Sequence, residues 1–151
     1  MSNTFKLPSI KELIKAGHVI HLQGNHFVKY SGLVAMAHMK GITGIKTEIL
    51  IQDVTSEDRI DQYEDEHVPC KTIWKTIKTA RVMIRATVYG QHGEEFTALG
   101  TATQYNLKKN MLPYMYEMAE TRAKARALRD FVGIGLTAWE EMPDFEPERI
   151  K

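Results

Sequence analysis

The chain has 151 residues, 43% hydrophobic and 26% charged, which suits one soluble globular domain with a single core and excludes a disordered chain. No apolar run approaches the roughly 20 residues needed to span a bilayer, and Met1 to Leu7 lacks the layout of a secretory signal. Cys70 is alone, which excludes a disulfide framework or a thiolate metal cluster, so a cytoplasmic location is expected.

Ser9, with Glu12 three residues on and Gly17 beyond, predicts a short capped helix over Pro8 to Gly17. His18 to Leu22 and His26 to Tyr30 flank Gln23-Gly24-Asn25, the layout of a hairpin. Ser31 opens a second helix that runs from Gly32 to Lys40 and closes at Gly41. From Ile42 to Gln52, Ile45, Thr47, Ile49 and Ile51 alternate with Lys46, Glu48 and Leu50, the period of a half-buried strand. Val54 to Lys71 is acidic and broken by Pro69, and reads as a long exposed loop. Alternation returns with Ala80, Val82, Ile84, Ala86 and Val88 on one face and Arg81, Met83, Arg85 and Thr87 on the other. Gly90 to Gly93 is turn chemistry, and Glu95 to Thr103 returns as the second strand of a hairpin. A long helix is expected from about Leu112 to Val132, ended by Gly133, with Thr137 to Glu140 capping one last turn. This order predicts an α+β fold, a mostly antiparallel sheet packed against a long C-terminal helix. Residues 1–140 form the expected domain and 141–151 a flexible acidic tail.

Charge is unevenly spread although the net is only +1. Asp53 to His67 holds seven acids against one base, and Lys71 to Arg129 holds eleven Lys or Arg against four acids. A near-neutral sum can conceal a field that holds a polyanion. On the long helix Arg122, Arg126 and Arg129 fall within about 60° of one another on a wheel of about 100° per residue. Lys124 points away beside Glu120, and Ala119, Ala123 and Ala127 line a flank narrow enough to sit close to a sheet. Three arginines on one stripe repel each other unless an anion occupies it, and the planar guanidinium fork suits phosphate. The bland reading is a solvated face, or arginines spent on carboxylates of a neighbouring subunit.

Glu120 to Gly133 resembles the signature helix of the Rad-fifty-two family of single-strand annealing proteins. Phe27 to Gly32 with its following helix resembles the family's second strand and helix, and Ala80 to Thr103 its central hairpin. The resemblance covers roughly Val19 to Gly135. It implies a β-β-β-α core, assembly into a ring or helical homo-oligomer, and single-stranded DNA held with phosphates inward and bases free to pair. Arg126 and Arg129 match the family's basic positions, whereas Ala125 stands for its Lys and Val34 for its Arg. Arg122, Lys29, Arg81 and Arg85 are the residues whose charge compensates, and Lys75 and Lys78 extend the basic stretch around Trp74. Trp74 reads either as a base-stacking residue or, preferably, as interface packing.

The expected function is ATP-independent binding and annealing of single strands in recombination or repair, in a prokaryotic, archaeal or phage setting near the nucleoid. No phosphate-loop signature is present. The chain is expected to be no enzyme and to need no cofactor, with a single-strand-binding protein or a recombinase as a candidate partner. His18, His21, His26 and His38 match no zinc spacing, so no metal is expected. Met111, Met115 and Met118 read as core filler. The rival readings are a structured-RNA module and a metal-dependent nuclease using the acidic segment.

Overall fold

A computed structural model describes residues 5–142, except 66 and 67, and for residues 56–78 the backbone alone. The elements are α1 (Ile10–Lys15), β1 (Val19–Leu22), β2 (Asn25–Val28), α2 (Tyr30–Lys40), β3 (Ile42–Asp65), β4 (Val68–Gly90), β5 (Glu95–Thr103) and α3 (Met115–Val132). A 3-10 turn, Lys109–Tyr114, leads into α3, and another, Trp139–Glu141, follows it. The fold is α+β, with an antiparallel sheet ordered β3-β4-β5 and a separate β1-β2 hairpin.

Local chemistry sets the short elements. Ser9 Oγ accepts from the Glu12 N–H at 3.3 Å and Glu12 Oε2 accepts from the Ser9 N–H at 3.1 Å, a complete capping box on α1. The β1-β2 loop is only Gln23-Gly24, both at positive φ (50° and 79°), the mirror-image turn that matches strand twist. Gly41 (φ 102°) ends α2 and Gly133 (φ 78°) ends α3, both left-handed caps.

The core lies between the sheet and α3. Ala80, Val82, Ile84, Ala86 and Val88 on β4 are all buried, as are Gly100 and Ala102 on β5. From α3 come Met115, Met118, Ala119, Ala123, Leu128 and Phe131, with Met111 from the turn before it. Full burial of a side chain such as Leu128 or Phe131 contributes about 1.5–3 kcal/mol. α2 also packs against α3, and its Lys40 donates to the Phe131 carbonyl and lies 4.8 Å over the Phe131 ring. A cation at the last carbonyls of α3 complements its dipole.

Two expectations need correction. Val54 to Lys71 is not a loop: β3 and β4 stay paired from Thr55↔Thr79 out to Asp65↔Val68, a two-stranded ribbon reaching beyond the third strand. β5 pairs only with Arg81 to Tyr89, so over most of the ribbon no third strand imposes the alternation that marks a strand in sequence. In the backbone register Asp58 stands opposite Lys75. Secondly, the alternation of β3 breaks at Leu50. Ile49 pairs with Ile84 and Ile51 with Met83, so one extra residue turns Ile51 to the face of Met83, opposite that of Ile49.

Candidate nucleic-acid interface

The arginine stripe lies where α3 crosses the free edge of β5. Such an edge carries carbonyls without strand partners, and here two of them accept from arginines. Arg126 NH1 donates to the Leu99 carbonyl at 3.0 Å and Arg122 NH1 to the Thr101 carbonyl at 2.8 Å. The close approach comes from small residues, since Gly100 lies directly beneath the backbone of Ala119 and Ala123.

The three arginines do different work. Arg122 is only 5% exposed and also donates to Asn106 Oδ1 (3.0 Å), the Asn106 carbonyl (3.0 Å) and the Glu140 carbonyl (3.4 Å). Burial pulls its pKa below the ordinary arginine value, with Glu141 opposing that shift. Asn106 in turn ties the β5–α3 turn, donating to the Thr101 carbonyl at 3.3 Å and accepting from the Thr103 N–H at 2.7 Å. Arg122 is therefore a buried strut, and the expectation that it meets phosphate does not fit its burial.

Arg129 is 22% exposed and paired with Glu141: NH2 to Oε1 is 2.8 Å and Nε to Oε2 is 2.8 Å. Arg126 is 52% exposed, with its Nε 3.4 Å from Glu141 Oε1. Its NH2 group has no partner among the described residues. On one side of Arg126 is a hollow of about 410 Å³ lined by Thr97, Ala98, Leu99, Arg129 and Asp130. On the other is one of about 120 Å³ lined by Gly100, Thr101, Asn106, Arg122 and Glu141.

The stripe does have an acid, contrary to the wheel, and it comes from the segment read as tail. Glu141 is 11% exposed and packed, so the domain runs past residue 140. The segment before it is anchored elsewhere. The Val28 N–H donates to the Thr137 carbonyl at 3.1 Å, and both Glu140 oxygens lie 3.0 Å from the Tyr30 N–H. Burial pushes the Glu140 carboxyl above its usual range, against the Tyr30 N–H and Lys29, which lower it. Sequence reasoning missed Glu140, Glu141 and Asn106. The one available signal was that three arginines read as a stripe without an acid among them call for one from another segment.

The remaining candidates are dispersed. Arg81 and Arg85 occupy the face of β4 opposite the residues buried against α3, so the sheet separates them from the stripe. Arg85 pairs with Glu48, which also lies 3.2 Å from Lys46. Those partners, Arg85 first, hold the Glu48 carboxyl below its usual range. Lys29 stands at the N-cap of α2. The side chains of Lys75, Lys78 and Trp74 lie outside the described residues. Ala125 is fully buried, so the position where the family resemblance places a Lys has no room for an exposed cation. Among the described residues no three His, Cys, Asp or Glu are placed to hold a metal ion, and the His21 and His26 rings lie 4.7 Å apart, tilted by 33°. No described helix is long and apolar enough to cross a membrane.

Comparison of the sequence with protein-family models and with curated proteins finds no match.

Proposed function

We propose that the chain binds single-stranded DNA through the groove between β5 and α3, and that it anneals complementary strands as a homo-oligomer without nucleotide hydrolysis. The observation that carries this reading is Arg126: half exposed, flanked by two hollows, and held by the Leu99 carbonyl and Glu141, with NH2 unpartnered among the described residues. Charge-assisted hydrogen bonding to phosphate gives affinity that ignores base identity, leaving base edges free to pair. Self-assembly is supported by the surface of β3, where Ile49 is 54% exposed, Leu50 43% and Val54 43%. Apolar side chains this exposed on an edge strand favour a second copy.

Titrating a fluorescent oligothymidylate across a salt series tests the binding step. Wild type is expected to bind with a steep salt dependence. Arg126→Ala should bind about tenfold more weakly, with a slope shallower by about 0.7 for each phosphate that Arg126 neutralises. Equal affinity and slope for the two proteins would remove Arg126 from the interface. Preference for duplex RNA over single-stranded DNA would favour a structured-RNA module instead.

A further inference from the structure

Glu141 is fixed from several sides. Its Oε2 accepts from the Ala138 N–H at 2.8 Å and lies 2.8 Å from Arg129 Nε. Its Oε1 accepts from Arg129 NH2 at 2.8 Å and lies 3.4 Å from Arg126 Nε. The segment that carries it is held independently, by the Val28–Ala138 bridge and by Glu140 on Tyr30. The carboxylate is 11% exposed while Arg126 is 52% exposed, so the acid lies beneath the arginine rather than in front of it.

Two roles are open to a carboxylate beside a phosphate site, and they differ in sign. A competitor would sit in the phosphate's seat and leave when a strand arrives. A positioning group would stay, absorb the charge of the deeper arginine and fix the outer one. Departure here would strip the Ala138 N–H of its acceptor and leave Arg129 with its longer bond to the Leu136 carbonyl (3.4 Å) in a largely buried place, which is costly. We infer that Glu141 is the positioning residue of the strand-binding groove. It neutralises Arg129 and turns Arg126 Nε inward, so that the outer guanidinium edge is presented to one phosphodiester anion. This role rests on the single-strand reading above.

The test uses the full chain as wild type, Glu141→Gln, Arg126→Ala and the double variant, binding oligothymidylate across a salt series with thermal unfolding in parallel. Glu141→Gln is expected to lose about tenfold in affinity and to share the shallower salt slope of Arg126→Ala. The double variant should be no weaker than Arg126→Ala, because both changes act on the same phosphate interaction. Affinity at or above wild type in Glu141→Gln overturns the inference and makes Glu141 a competitor. Additive losses overturn it too, since Glu141 would then act by another route. Should Glu141→Gln fail to fold, Glu141→Asp keeps the charge but shortens the reach. It is expected to bind more weakly than wild type, and binding as tight as wild type overturns the inference. Absence of binding by wild type itself would sink the single-strand reading, and this inference with it.

Discussion

Replacing Gly100 by Ala is expected to destabilise the fold by about 3 kcal/mol or more, among the largest effects of any single methyl group in this chain. A Cβ there would lie under 3.0 Å from the Ala119 carbonyl oxygen, the Ala123 nitrogen and the Ala123 Cα. These are helix backbone atoms, so no rotamer change relieves the clash. Instead α3 must lift from β5, loosening the packing of Ala119 and Ala123 and drawing Arg122 and Arg126 from the edge carbonyls they bond. A loss of this size lowers the melting temperature of a chain this long by about 10 °C. Gly135 is the control, because a Cβ there meets nothing within 4 Å and its φ is not left-handed. Thermal unfolding of the two variants decides the matter: equal melting temperatures would mean that α3 does not sit this close to β5.

Arg122→Met is expected to cost about 3 kcal/mol, through three lost hydrogen bonds, two of them at acceptors that keep another donor. Methionine approximates the aliphatic stem of the side chain, so packing changes little. The Thr101 and Asn106 carbonyls and Asn106 Oδ1 each lose a donor at 2.8–3.0 Å in a part-buried site. Arg122→Lys should rescue little, since one ammonium cannot span acceptors arranged for a planar fork. Chemical denaturation measures the loss directly. An Arg122→Met chain as stable as wild type but deficient in strand binding would contradict the strut and return Arg122 to the interface.

The capping box of Ser9 and Glu12, the Gln23-Gly24 turn, and the glycine caps at Gly41 and Gly133 are local devices, written within a few residues of where they act. Alternation from Ala80 to Val88 was legible because α3 covers one face of β4. Pairing of Val54–Asp65 with Val68–Ala80 was not, because strand pairing is non-local and β5 pairs with β4 only from Arg81 to Tyr89. The bulge at Leu50 is likewise invisible until the partner strand is known.

The site was legible in part. A helical wheel brings Arg122, Arg126 and Arg129 to one side of α3, and that is where they stand. Depth is what the wheel lacks. It cannot show that the edge of β5 passes under Arg122, or that Glu141 returns from beyond the helix to meet Arg129. Of eight basic candidates, Arg126 alone combines exposure, free donors and adjoining hollows among the described residues.

Annealing is tested most directly by the rate of duplex formation between complementary oligonucleotides, without nucleotide, for wild type and Arg126→Ala. Wild type is expected to accelerate pairing at protein concentrations that cover the strands, and Arg126→Ala to lose most of that acceleration while unfolding at the wild-type temperature. Duplex formation no faster with wild-type protein than without it would contradict annealing, even if the strand were bound.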